Sequence, residues 1–163
     1  MSAIAIYRSL EKLLTLHQSL NSLARKKREL ITENDTDSLS KLLNDEQKHL
    51  KAIEQCEKER ASAVKDFLKV KNMPNESATL TELIALADES ERKQLDTVKD
   101  KLLLEVKSLR EENQLNQQLI YQSLQFVNVS LDMFRPAQQD FNYDKPVPQP
   151  SNRGSRSMFD SKA

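Results

Sequence analysis

Glycine is almost missing from this chain: one in 163 residues, beside a single cysteine and no tryptophan. Tight turns between strands lean on glycine to reach positive φ, so its scarcity argues against a sheet protein and leaves long helices. A lone Cys56 cannot close an intramolecular disulfide, which fits a reducing compartment. No apolar run approaches the roughly 20 residues that span a bilayer, and the opening MSAIAIYRSLEK lacks the charged start and unbroken apolar stretch of a signal peptide. Twenty-five basic residues balance twenty-five acidic ones, so no net field draws the protein onto nucleic acid or an anionic membrane. The expectation is a soluble cytoplasmic protein with neither nucleic-acid binding nor membrane insertion.

Chemistry-bearing motifs are equally scarce. Gly154 stands alone, so no phosphate-cradling loop can form, and neither a serine nucleophile elbow nor a zinc-ligand cluster is present. Glu46-x-x-His49 has the spacing of half a carboxylate-bridged dimetal site, but His17, the other histidine, has Leu14 three residues before it and cannot supply the second half. His17 lies level with Ile53 to Cys56 in an antiparallel pairing, yet nothing nearby orients a base or holds an oxyanion; it reads as a core histidine bonded across the seam. Cys56 reads as a small buried or half-buried residue. Neither an enzyme, nor a metal site, nor a cofactor is expected.

What the chain does contain is charge, 31%, interleaved with hydrophobic residues, 37%, at a mean hydropathy of −0.68. That balance suits amphipathic helices with thin seams. Ile6, Leu10, Leu13, His17, Leu20, Ala24 and Ile31 recur by threes and fours and predict a helix over 2–33, with Leu16, Leu23 and Leu30 widening its face. Asp35 is the expected cap of a second helix, 36–71, whose stripe is Leu39, Leu43, Glu46, Leu50, Ile53, Glu57, Arg60, Val64 and Phe67. So short a turn folds the two helices back antiparallel and predicts a Lys27–Glu46 contact that fixes register. Arg25-Lys26-Lys27-Arg28 spreads round the first helix near its C-terminal end, where it suits the negative end of the dipole.

Asn72-Met73-Pro74-Asn75 breaks the second helix. Thr79 with Glu82 reads as the capping box of a short helix, 80–87. A last helix over 91–135 follows without Pro or Gly, long enough to overshoot the turn between the first two. The fold class is therefore all-α: an elongated antiparallel hairpin plus a long C-terminal helix in a three-helix, coiled-coil-like bundle, a domain of residues 1–135. Residues 136–163 hold four of the five prolines and the glycine, a composition that predicts a disordered tail.

The end of the last helix carries more apolar surface than one packed face uses. Leu115, Leu119, Phe126, Val129 and Met133 form one edge; Ile120, Leu124, Val127, Leu131 and Phe134 form another. Between them Asn116, Ser123 and Ser130 make a seam of small or neutral polar groups, and Gln114, Gln118, Tyr121, Gln125, Asn128 and Asp132 form the wet face. One edge is expected to close the protein's own core and the other to await a subunit or client. Asn113 and Asn116 near the seam either fix register or bond a client backbone. Obligate homo-oligomerisation as a structural coiled coil, with no client, is the alternative use of such a surface.

The succession of motifs resembles the FlgN family of flagellar export chaperones. It rests on Leu13-Leu14-Thr15-Leu16-His17 with Leu20, Leu23-Ala24 and Lys27; on Leu39, Leu42-Leu43, Glu46-Gln47, Leu50, Ile53, Glu57 and Arg60; and on Asn113-x-x-Asn116-x-x-Leu119. Ser123-Leu124-x-Phe126-Val127 and a tail ending Ser157-Met158-Phe159-Asp160 complete it. The resemblance implies a bacterial cytoplasmic chaperone that binds the hook-associated proteins FlgK and FlgL before type III export. Export gate or ATPase components are further partners it implies, and an unbound copy is expected to pair with a second. It implies client contacts at Leu119, Leu124, Phe126, Val127, Leu131 and Phe134, with Tyr143 in the tail; Asn116, Ile120 and Ser123 join them on the same surface.

Overall fold

A computed structural model describes residues 3–75 and 77–135, which form α1 (Ile4–Glu33), α2 (Thr36–Val70), α3 (Leu80–Leu86) and α4 (Glu89–Phe134). The predicted tail, and Tyr143 with it, lies outside the described residues. Local chemistry sets the boundaries. Asn34 ends α1 in the left-handed region at φ 62°, which asparagine tolerates better than most residues. Asp35 Oδ1 then accepts the Ser38 N–H at 3.0 Å, the expected cap of α2. The Thr79 hydroxyl accepts the Glu82 N–H at 3.3 Å while Glu82 Oε2 accepts the Thr79 N–H at 2.7 Å, so the capping box is formed. α4 starts at Glu89, slightly earlier than its pattern predicts. Here Arg92 holds the corner, donating to the carbonyls of Ile84, Ala85 and Ala87 at 3.2–3.3 Å and so satisfying the open end of α3.

The architecture is all-α, with α1 as its shared member. α2 runs antiparallel to α1, shown by cross-bonds Lys12–Glu59 at 3.2 Å, Ser19–His49 at 2.7 Å and Lys27–Glu46 at 2.8 Å. α4 runs parallel to α1: Asn21 bonds Glu105 at 2.9 Å and Arg28 bonds Glu112 at 3.1 Å, both across a separation of 84 residues. Among the described residues, no Cα of α2 comes within 8 Å of a Cα of α4. The helices thus form a trough with α1 as its floor.

The continuous core lies at the α3 end. Ile6, Leu10 and Leu13 of α1 meet Val64, Phe67 and Leu68 of α2, Leu83 of α3, and Leu95 and Val98 of α4. Toward the α1–α2 turn burial thins to Leu20, Ala24, Leu30 and Leu42 with the polar Asn21 and Asn116. Part of the expected α2 stripe is consequently not core: Leu43 and Leu50 are 42% and 47% exposed. Without close backbone approach by α4, this stretch of α2 has a narrower dry face than a closed three-helix seam would give it. α1 and α4 differ in length by 30 residues against 46, about 45 Å against 69 Å at the helical rise.

Candidate functional site

α4 passes the turn that joins α1 to α2, and its cover runs out there. Leu119, Ser123, Phe126 and Val127 flank Ile31, Thr32 and Asn34 in a shallow groove of 360 Å³. On the other side of α4, Ile120, Leu124 and Val127 face Leu30, Asp35 and Leu39 across a groove of 230 Å³. A third groove, 280 Å³, continues between α2 and α4, with Leu50 and Ile120 on its walls and Lys27, Glu46 and Asn116 at its polar end. Beyond Val127 the helix continues to Phe134 for about 10 Å at the usual rise.

Exposure follows this geometry. Phe126 is 74% exposed, Met133 80% and Phe134 84%, and Leu124, Val129 and Leu131 each lie more than half in solvent. The expectation that one edge of this helix closes the core is therefore corrected: from Tyr121 to Val129 every residue is exposed, on both edges. The helices that would have covered them end at Glu33 and begin at Thr36. From Asn113 to Leu131 the segment carries no charged residue, so α4 itself offers an apolar partner no charge to desolvate along this stretch.

The polar members of the seam are committed inside the chain. Asn116 is buried, its amide donating to the Ala24 carbonyl at 2.9 Å, and its Oδ1 has no protein partner. That placement buries it between α1 and α4, away from the open surface where a client contact was expected. Ser123 Oγ donates to the Leu119 carbonyl at 2.9 Å, so its hydroxyl serves its own helix. On the wet face Gln125 Nε2 donates to the Tyr121 hydroxyl at 2.9 Å. Leu119 is half-buried beside Ile31, while Ile120, Leu124, Phe126, Val127, Leu131 and Phe134 share the open surface.

The other constellations resolve into structural roles. His17 Nδ1 donates to the Leu13 carbonyl of its own helix at 2.8 Å, rather than across the seam as expected. His49 donates from Nδ1 to the Asp45 carbonyl at 2.8 Å, which leaves Nε2 to accept from Ser19, and Glu46 is engaged by Lys27 with both side chains largely buried. Among the described residues no group of three or more His, Cys, Asp or Glu is placed to hold a metal ion. Burial raises the Cys56 thiol above its ordinary range, and its Sγ lies 3.4 Å from the Ser9 carbonyl. The basic run does more than meet a helix dipole: Arg25 and Arg28 converge on Glu112 of α4 while Lys27 reaches Glu46 of α2. A roomier groove of 820 Å³ between α1 and α2 is rimmed by Arg8, Glu11, and the Lys12–Glu59 pair, a charged surface unlike that of α4.

The family model described as FlgN protein matches residues 1–147. The chain belongs to the FlgN family. FlgN proteins are flagellar export chaperones, acting in flagellar assembly and type III secretion. A protein of Bacillus subtilis (strain 168), described as uncharacterized protein YvyG, is 35% identical over 164 residues, covering 100% of each chain. No solved structure matches. Among the described residues of this FlgN-family chain, no helix is long and apolar enough to cross a membrane. The α2 leucines at the trough rim, Leu43 and Leu50, are the surface that periodicity assigned to the core. Heptad spacing shows which face is apolar and carries no signal for which neighbour covers it.

Proposed function

We propose that this FlgN-family member is a cytoplasmic chaperone for the hook-associated proteins FlgK and FlgL, and that it shields their apolar helical segments before type III export. The client lies against α4 at Leu119, Ile120, Leu124, Phe126, Val127, Leu131 and Phe134, with Ser123 in the seam and the rims at Leu43 and Leu50 widening the contact. One observation carries the reading: a two-edged apolar helix, uncharged from Asn113 to Leu131, extends past the cover of its own fold. An amphipathic client helix gains most of its affinity in this setting by burying anchors spaced at i, i+3, i+4 and i+7.

Size-exclusion chromatography with light scattering tests it, using the full chain mixed with a C-terminal fragment of a hook-associated protein. A mixed species of defined stoichiometry is expected, and Phe126→Asp with Leu131→Asp should abolish it while the melting midpoint stays put. Retained binding by that folded double variant would refute the assignment. A homo-oligomer of fixed size, undisturbed by the fragment, would instead show that the face serves self-assembly.

A further inference from the structure

α2 and α4 flank α1 without closing on each other, and the trough between them has the walls of a helix seat. Among the described residues no Cα of α2 comes within 8 Å of one of α4, yet both helices line one groove. Leu50 stands on one wall, Asn113, Gln117 and Ile120 on the other, and Leu20 of α1 at the floor. Apolar residues recur by sevens on each wall, Leu43 and Leu50 on α2, Ile120 and Val127 on α4, and all four are exposed. Heptad spacing of this kind forms the holes that another helix's knobs enter. Farther along, Leu39 faces Ile120 and Leu124, and past the turn Leu131 continues the α4 wall alone. Leu50 to Leu39 covers about 17 Å and Leu124 to Leu131 adds about 10 Å, so the seat is about five helical turns long.

Backbone accounting decides what shape can lie there. Both walls are helices whose N–H and C=O groups bond along their own axes, so an extended segment would press its inner backbone groups against leucine unpaired. A helix brings its backbone bonds with it. Charge decides which face it shows. The α4 wall carries no charge from Asn113 to Leu131, and Lys27 and Glu46 at the groove's polar end, 2.8 Å apart, cancel each other. With the amides of Asn113 and Gln117 they form a neutral polar belt, bounded by Leu50 on one side and by Ile120 with Leu39 on the other. A neutral hydrogen-bonding side chain satisfies such a belt. A leucine placed there covers its donors and acceptors, and a charged residue opposes one member of the ion pair.

We propose that the α2–α4 trough is the open corner of a four-helix bundle, filled by one amphipathic helix of the client. That helix presents an uncharged face of about five turns with apolar anchors at heptad spacing. One Asn, Gln, Ser or Thr on it lies level with Lys27–Glu46 and fixes its register. The inference rests on the proposed client face and deepens it: the α2 leucines become half of the binding surface, and the polar belt selects one apolar helix over another.

Calorimetric titration of the full chain with the C-terminal fragment of a hook-associated protein tests the seat, with light scattering on the same samples. Leu43→Asp with Leu50→Asp should weaken binding by at least about thirty-fold, the loss of a central anchor, while the melting midpoint stays put. Gln55→Asp, in the separate groove between α1 and α2, should leave affinity unchanged. Wild-type affinity in the leucine variant would overturn the trough and leave the client on α4 alone, whereas no binding by wild type would sink the client reading itself. A homodimer of the free chain that the leucine variant dissolves and the fragment does not would give the trough to a second copy. Asn113→Leu with Gln117→Leu should weaken binding about ten-fold, because the client's polar residue loses its partners. Equal or tighter binding, as a merely sticky surface would give, refutes the belt. A photo-crosslinking residue in place of Leu50 or of Ile120 should mark one short client segment from both walls; marks on two distant segments would rule out a single helix.

Discussion

The α3 end and the turn end of this molecule use the same kinds of residue to opposite effect. At the α3 end Ile6, Leu13, Leu68, Leu83 and Leu95 from all four helices are fully buried, and each satisfies its neighbours. At the turn end Leu124, Phe126, Val127 and Leu131 are as apolar, yet the helices that would cover them have stopped. Stability is thus concentrated at one end of the long axis and unsatisfied apolar surface at the other. The link between them is polar: Lys27–Glu46, Arg28–Glu112, Asn21–Glu105 and Asn116–Ala24 hold register where few apolar side chains are buried.

Truncating the two ends should break the comparison most sharply. Leu13→Ala or Leu95→Ala should cost about 2–5 kcal/mol in urea unfolding, whereas Phe126→Ala should fall within about 0.5 kcal/mol of wild type. Equal losses at both ends would mean that the turn end is also core. A middle-sized effect belongs to the polar link: Glu46→Leu leaves Lys27 in the seam without its partner and should cost about 1–3 kcal/mol. The double variant Lys27→Met with Glu46→Leu should recover most of that stability while loosening register, read as faster amide exchange in α2. Thr79→Ala, which removes half of the capping box, should cost about 1 kcal/mol by the same unfolding assay.

The smallest effect is a pH slope. Hydrogen bonds from Ser38 hold the Asp35 carboxyl below its usual range, and the Thr79 backbone and hydroxyl do the same for Glu82. A depressed carboxyl contributes stability above its unfolded pKa and loses it as pH falls through the folded value. The melting midpoint should therefore drop as pH falls below about 4, where ordinary carboxyls titrate. Asp35→Asn keeps a capping oxygen but cannot ionise, so it should flatten that slope with little change at neutral pH. An unaltered slope in the variant would move the acid sensitivity elsewhere.

Much of this contrast is readable in the sequence wherever the governing chemistry is local. Asp35 and the Thr79–Glu82 pair bond within a few residues of themselves, so their roles survive any tertiary arrangement. The Lys27–Glu46 pair is readable because a short turn allows only one antiparallel register. Partnering between distant segments is not local, and here the reading falls short. Leu43 and Leu50 repeat as core residues do, but the α4 backbone stays beyond 8 Å of α2 and leaves both leucines well exposed. His17 fits the apolar stripe and still donates to its own helix, four residues back, because an i−4 carbonyl is always at hand. Asn116 lies on the arc that periodicity marks as open; only the close approach of α4 to Ala24 removes it.

Asn116 is also the last buried position of α4. From there to Phe134 the helix is an arm of about 27 Å at the usual rise. An arm of that length converts a tilt of about 10° at its pivot into a sweep of about 5 Å at its tip. Such a tilt would widen the groove on one side of the arm and narrow the other while the α3 end stayed in place, so the width of the proposed client face would be set by the angle at which α4 leaves α1.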